Sequence, residues 1–164
     1  MAVKRRRGYT LMELMLVTAI LGIIGGMGGS MLLQVTNFWR LTTARNAIQR
    51  DVRTSLDLIN RFTRQGVSST FVIDAASGQP PASRITFTSV QGETVSFYQS
   101  GKRLYMSRAG SNSMLSEHLA YIAFTYPRTD DPSLISVAIT AQSPTFRGGK
   151  KALQLSVQKV RIMN

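Results

Sequence analysis

The chain has 164 residues, which is enough for one compact domain and a further segment. It has no cysteine and one histidine, His118, which excludes a disulfide framework, a cysteine-ligated zinc site, a thiol nucleophile and a histidine-rich metal site. The formal net charge of +12 indicates either an acidic partner, such as nucleic acid, anionic lipid or an acidic protein face, or a solvated basic surface combined with a topology signal. The second interpretation is favoured, because beyond the N-terminus the basic residues are scattered.

The first eight residues, MAVKRRRG, form a short basic segment that ends in glycine. In an ordinary secretory signal the small-residue cleavage site follows the apolar stretch, whereas here Gly8 precedes it. We predict that residues 1–8 are a leader that is cut off after Gly8, leaving the apolar stretch on the mature protein. A basic cluster would keep this end in the cytoplasm, and it consists of Lys4, Arg5, Arg6 and Arg7.

Residues 9–66 contain no proline and are predicted to form one long helix that ends near Gly66. The run from Leu14 to Leu33 carries no charge, and about 20 such residues span a bilayer core as a helix. We therefore predict a transmembrane helix over residues 9–35. Residues 36–66 are predicted to be amphipathic, with one apolar stripe: Leu41, Ala44, Ile48, Val52, Ser55, Ile59 and Phe62.

The apolar run contains an unusual group of glycines, at Gly22, Gly25, Gly26, Gly28 and Gly29. Glycine inside a helix costs about 0.8–1 kcal/mol relative to alanine. Two interpretations stay open for this segment. The glycines allow close packing of helices in the membrane, or they form a flexible segment that is helical in lipid and extended in a packed assembly.

Residues 67–164 are predicted to be a β-rich globular domain. Alternating and β-branched runs separated by turn signals indicate six strands, at residues 84–90, 93–98, 103–108, 120–126, 134–141 and 152–162. A long helix followed by antiparallel strands indicates an α+β fold, in which the amphipathic stripe covers one face of an antiparallel sheet.

The residues from Gly8 to Leu14, GYTLMEL, resemble the class III prepilin signal of the type IV pilin-like family. In that family a basic leader ends in glycine, phenylalanine usually follows, and a glutamate stands four residues further on. This chain has Tyr9 at the aromatic position and Glu13 at the acidic one, and it lacks the family's usual proline in the apolar segment.

The resemblance implies a pilin fold and a defined fate. A prepilin peptidase would cut between Gly8 and Tyr9 on the cytoplasmic side and would methylate the new amino group of Tyr9. The subunit would wait in the bacterial inner membrane as a single-pass protein, with its C-terminal domain periplasmic or extracellular. An inner-membrane assembly platform would then transfer it from the bilayer into a helical filament of other pilins or pseudopilins, where residues 9–35 would form the core.

A carboxylate at the edge of an apolar run is expensive in lipid and usually marks a functional position. We predict that Glu13 pairs with the freed amino group of Tyr9 in a neighbouring subunit. Such a pair would stabilise the assembly only when the two subunits are in the correct axial register. The alternative is that Glu13 is an interfacial residue whose charge is favourable near the positive end of the helix dipole.

Weaker patterns resemble minor pilins and minor pseudopilins of the J or W type, at residues 51–61, 84–108 and 157–164. This similarity implies a non-catalytic structural subunit of a type IV pilus or a type II secretion filament that primes assembly near the tip. A major pilin more often carries a cysteine pair that frames a C-terminal loop, and this chain has no cysteine. Whether the machine is a pilus, a secretion system or a competence system stays open.

A competence-type, membrane-anchored protein that binds DNA is the alternative function. Aromatic side chains could stack on bases, although positions in the sheet are the favoured explanation for Phe97, Tyr98, Tyr105, Phe124 and Tyr126. No enzyme signature is found, since His118 beside Glu117 is more typical of a structural pair, and no cofactor is implied. Asp130 and Asp131 before a proline are a turn signal, and calcium binding there is the less favoured reading.

Overall fold

The computed structural model describes residues 8–145 and 151–163. The predicted basic cluster of the leader, Lys4 to Arg7, lies outside the described residues. The chain divides into two units, Met1–Arg40 and Leu41–Asn164, which are described separately below.

Helix α1 spans Leu11–Arg64, close to the limits predicted from the absence of proline. In the first unit, every described residue up to Arg40 is exposed. In the second unit, the predicted apolar stripe is confirmed, because its four central members are buried and its ends are half-buried. The buried side chains of the helix recur every three or four residues: Ile48, Val52, Ser55, Leu56, Ile59 and Thr63.

A 3₁₀ turn at Ser68–Thr70 follows the helix, and the described part of the second unit continues with eight strands. The strands are β1 (Val72–Asp74), β2 (Arg84–Thr88), β3 (Thr94–Ser100), β4 (Arg103–Arg108), β5 (Ser111–Ser116), β6 (Leu119–Thr125), β7 (Leu134–Pro144) and β8 (Lys151–Arg161). All the pairings between them are antiparallel. The fold class is therefore α+β, as predicted, with a pilin-like architecture.

The strands form two sheets, whereas the sequence predicted one. A five-stranded sheet has the order β1-β2-β3-β4-β5, and a three-stranded sheet has the order β6-β7-β8. The six predicted strands are present, and the two tight turns predicted at Gly92 and Gly101 are confirmed by their positive φ angles of 82° and 60°. Strands β1 and β5 were missed because β1 has three residues and β5 is largely polar and exposed, so neither carries a clear alternation.

One hydrophobic core joins the stripe of α1 to the inner faces of both sheets. Its largest members are three phenylalanines that are almost fully buried, Phe87, Phe97 and Phe124. The rings of Phe87 and Phe97 lie 6.4 Å apart, and Phe87 also stacks on Phe71 at 4.5 Å. Aromatic burial of this size is a major source of stability for a domain of this length.

Candidate functional site at the start of the apolar helix

Helix α1 begins with a reciprocal pair of hydrogen bonds between Thr10 and Glu13. The Glu13 N–H donates to Thr10 Oγ1 at 3.3 Å, and the Thr10 N–H donates to Glu13 Oε2 at 3.2 Å. The Thr10 hydroxyl also donates to the same carboxylate oxygen at 3.3 Å. This is a capping box, which satisfies backbone donors that the first helical turn leaves without partners.

The predicted cleavage site lies immediately before this cap. Gly8, Tyr9 and Thr10 have no regular secondary structure, and the Tyr9 side chain is 89% exposed. Glu13 is also exposed, and among the described residues only its Oε2 accepts a hydrogen bond. A carboxylate accepts several hydrogen bonds, so Oε1 is open to a further donor. The structure therefore brings Tyr9 and Glu13 to the same end of the helix and leaves their pairing across subunits as a prediction.

Sequence reasoning missed the role of Thr10. The signal was present as the spacing Thr-x-x-Glu directly before an apolar run, which is the signature of a capping box. In the single chain Glu13 lies in the first turn of α1, where the alternative interpretation places a favourable negative charge. Capping is compatible with the predicted pairing, because the capping bonds use Oε2 alone.

The five glycines of the apolar run lie within α1, which is helical throughout their segment. Apart from the nearby helix backbone and the chain neighbours, a Cβ added at any of them would meet no described atom within 4 Å. Within the described residues no contact thus requires glycine at these positions, and their small size would allow neighbouring helices to approach closely. Both interpretations, close packing and a flexible segment, remain predictions.

The hydroxyl groups within the apolar half are bonded to the helix itself. The Thr18 hydroxyl donates to the Leu14 carbonyl at 3.0 Å, and the Thr36 hydroxyl donates to the Leu32 carbonyl at 2.8 Å. Ser30 does the same one turn back, towards the Met27 carbonyl at 3.0 Å. Polar groups without partners are costly in lipid, so this back-bonding makes the segment compatible with an apolar surrounding.

The apolar side chains of this half are uncovered. Leu21, Met31 and Leu33 are 61%, 68% and 69% exposed, and no charge occurs between Glu13 and Arg40. By length and composition, α1 is able to cross a membrane. An apolar surface this extensive marks a surface that lipid or protein covers.

Comparison with known families supports this description. Residues 3–29 match the family described as the prokaryotic N-terminal methylation motif. The match confirms the class III signal noted in the sequence, and together with the apolar N-terminal helix and the α+β domain it is consistent with the type IV pilin-like family. No curated protein matches the chain.

The remaining candidate residues have structural partners. His118 Nδ1 lies 3.0 Å from Asp51 Oδ2, so the histidine links the start of β6 to α1 rather than pairing with Glu117. Asp131 accepts a hydrogen bond from the Ser133 N–H at 3.0 Å, and this contact with Ser133 lowers the pKa of Asp131. Over residues 8–145 and 151–163, no three His, Asp or Glu side chains gather as a metal site would require.

The aromatic candidates for base stacking separate into two groups. Phe97 and Phe124 are buried in the core, so they are unable to stack on a base. Tyr98 and Tyr105 stack on each other at 5.6 Å, and the Tyr126 hydroxyl donates to a backbone carbonyl at 3.3 Å. The DNA-binding alternative thus has fewer available rings than the sequence offered.

Proposed function

We propose that this chain is a structural subunit, a minor pilin or minor pseudopilin, of a type IV pilus or a type II secretion filament. The observation that carries the proposal is the methylation motif at residues 3–29 on a helix whose apolar half is uncovered. The precursor is held in the bacterial inner membrane, with its leader in the cytoplasm and its C-terminal domain on the other side. On assembly, the apolar helices of neighbouring subunits replace the lipid around this helix. The subunit primes the filament near its tip.

The first step of this function is removal of the leader. Prepilin peptidase cuts between Gly8 and Tyr9, which removes the basic cluster and leaves 16 Lys and Arg against 8 Asp and Glu. The same enzyme methylates the new amino group, which keeps its positive charge. That charge on Tyr9 then pairs with Glu13 of a neighbouring subunit in the apolar filament core, where an unpaired carboxylate is costly.

Intact-mass measurement and N-terminal sequencing test the processing step. In cells with the peptidase, we expect a mature chain that begins at N-methylated Tyr9. In cells without it, we expect the full precursor. A precursor that stays uncut in peptidase-positive cells contradicts the proposal.

Two substitutions of Glu13 separate its capping role from its charge. Glu13→Gln keeps the capping box, because glutamine serves at this position as glutamate does, but it removes the negative charge. Glu13→Ala removes both. If the charge sets the register, both variants lose assembly to a similar extent. Assembly of Glu13→Gln at the natural level would assign the residue to capping alone.

If the subunit primes assembly, its loss should reduce filament number far more than its small amount in the filament would suggest. We expect this chain to be rare relative to the major subunit in purified filaments, while deletion of its gene strongly reduces filament number. Quantitative mass spectrometry and electron-microscopic filament counts measure both. An abundance close to that of the major subunit would contradict the minor role.

A further inference from the structure

Strand β8 changes the phase of its apolar alternation along its length. Leu153, Leu155 and Val157 stand at odd positions, while Val160 and, directly after the strand, Ile162 stand at even positions. Strands β7 and β8 pair in one constant register over eleven residues, without a bulge. Because successive side chains of a strand point to opposite faces, one of the two apolar sets must face away from the core.

The structure buries the second set. Val160 and Ile162 are 2% and 5% exposed, whereas Leu153, Leu155 and Val157 are 65%, 63% and 60% exposed. The core-facing positions beside the exposed set are polar and half-buried, and each lies opposite a buried apolar residue of β7, in the pairs Gln154–Ala141, Ser156–Ile139 and Gln158–Val137. From Leu153 to Gln158 the core-facing side chains are therefore polar and the outward-facing ones are apolar. This pattern is typical of a strand whose outer face is covered by another molecule.

Strand β8 is also an edge. Within the part of the chain that the structure describes, β7 is its only pairing partner. A groove of about 240 Å³ lies beside it and is lined by Arg45, Ile48, Gln49, Leu153 and Gln154. One wall of this groove belongs to β8, and the other belongs to α1.

The chemistry of the edge favours an extended chain over a lipid surface. An edge strand presents backbone N–H and C=O groups without partners, and lipid offers no hydrogen bonds to them. An added strand pairs with these groups and places alternate side chains on the two faces of the sheet. One row of such side chains covers Leu155 and Val157, and the other row enters the groove beside Ile48.

The charges around the edge are basic. Lys159 is exposed on the same face as Leu155 and Val157, and Arg45 lines the groove. Among the described residues, neither Lys159 nor Arg45 takes part in an ion pair, and no acidic residue lines the groove. Two copies of this chain would bring like charges together, which disfavours self-pairing.

We propose that the free edge of β8 binds an extended segment of a different protein by strand addition. The segment has apolar side chains at alternate positions and acidic side chains near its ends, which reach Lys159 and Arg45. This interaction belongs to the second unit of the chain and does not depend on the function of the apolar helix.

A displayed library of peptides of about ten residues, selected against the full-length chain in detergent micelles, tests the proposal. We expect enrichment of sequences with alternating apolar residues and acidic ends. The double variant Leu155→Thr/Val157→Thr keeps β-propensity but removes apolar surface, and it is expected to bind the selected peptides at least tenfold more weakly. The matched control Val72→Thr/Val90→Thr alters residues of similar exposure away from β8 and is expected to bind them unchanged.

Hydrogen exchange locates the bound peptide. We expect slower amide exchange in residues 151–161 and no change in β1, which is one of the two edge strands of the other sheet. Lys159→Gln is expected to reduce selectivity for acidic over neutral peptides at least threefold. The proposal is overturned if no alternating sequence is enriched, if both double variants bind equally, or if the chain forms a dimer that the Leu155→Thr/Val157→Thr variant abolishes.

Discussion

Gln99 is the side chain that joins the two sheets. It is 4% exposed, and its Nε2 donates to the carbonyls of Gly101 and Ala120 at 2.8 and 3.3 Å. Its Oε1 accepts from the Ile122 N–H at 3.2 Å. One amide of β3 therefore serves three backbone groups, one in the turn before β4 and two in β6. No sequence pattern indicates this role, because the two partners in β6 lie 21 and 23 residues away and are backbone atoms.

Replacing Gln99 by methionine keeps its length and removes its hydrogen bonds. Since each backbone group left without a partner in the interior costs about 1–3 kcal/mol, and relaxation recovers part of this, we expect a loss of about 3 kcal/mol in the free energy of unfolding. Urea denaturation measures it. Gln91→Met in an exposed turn is the control, and an equal, small effect of both variants would contradict the role of Gln99.

The ion pair of Asp74 and Arg84 makes a small, pH-dependent contribution. The Arg84 guanidinium donates two hydrogen bonds to the carboxylate and holds the pKa of Asp74 below its ordinary value of 3.8. A carboxyl group with a lowered pKa stabilises the fold at neutral pH, and this contribution disappears as pH falls through the lowered pKa. Both side chains are about 40% exposed, so solvent screening limits the effect.

We expect Asp74→Asn to reduce the free energy of unfolding by about 0.5 kcal/mol at pH 7, as is typical of exposed pairs. At pH 2, below the ordinary pKa of 3.8, the unfolded chain already binds the proton, so the pair contributes less and the difference between the two proteins is expected to shrink. Denaturation at both pH values measures this, with Arg84→Gln as the companion variant. A difference that stays constant from pH 7 to pH 2 would show that the charge is not its source.

At the scale of elements, the end of α1 depends on a close approach of the backbone to aromatic rings. A Cβ at Gly66 would lie 2.5 Å from Phe71 Cζ and 2.8 Å from Phe87 Cδ2. Phe87 is almost fully buried and stacked on Phe71, so a shift of either ring would disturb this stack. The sequence indicated Gly66 as a helix stop, and the structure adds that the absence of a side chain lets β2 and the following loop close over the helix end.

Gly66→Ala is therefore expected to destabilise the protein by about 1–3 kcal/mol through overpacking. Thermal unfolding followed by circular dichroism measures the change. The neighbouring exposed residue provides the control, and Gln65→Ala is expected to unfold within a few degrees of the natural chain. Equal stability of Gly66→Ala would mean that the rings rearrange at no cost.

The elements were predictable to different degrees, for physical reasons. The stripe from Leu41 to Phe62 fixes the packed face of α1, because a period of 3.6 residues leaves one choice of face. Strand β8 shows the opposite case, because its sequence has apolar residues at odd positions in one part and at even positions in another. Only the pairing register with β7 determines which of the two sets faces the core. The cap at Thr10 was predictable from its spacing with Glu13.

At the scale of the whole molecule, the two units differ in whether their apolar side chains are buried or exposed. Among the described residues, no buried side chain occurs before Ile48, and the hydrophobic core lies entirely within Leu41–Asn164. Over residues 8–40 the first unit has no buried side chain, and its apolar side chains are exposed. The physical reason for this contrast is visible in the sequence, because a long uncharged run and an amphipathic stripe require different surroundings. The sequence did not predict the arrangement in two sheets, which depends on contacts between distant residues.

A chain truncated to residues 36–164 is expected to fold, because it retains every buried residue. We expect it to be monomeric without detergent and to unfold in one cooperative transition, as domains of this size usually do. Near-ultraviolet circular dichroism and analytical ultracentrifugation measure these properties. Loss of the cooperative transition would show that the apolar segment contributes to the core.

The cap formed by Thr10 and Glu13 also sets where α1 begins relative to the peptide bond proposed to be cut. Inside a helix the amide and carbonyl groups are occupied by each other, so an enzyme cleft cannot align them as an extended substrate. By starting α1 at Leu11, the capping box leaves the Gly8–Tyr9 peptide bond outside the helix. If this is the bond that a peptidase cuts, as proposed, the same two side chains keep it out of the helical hydrogen-bond pattern in the precursor.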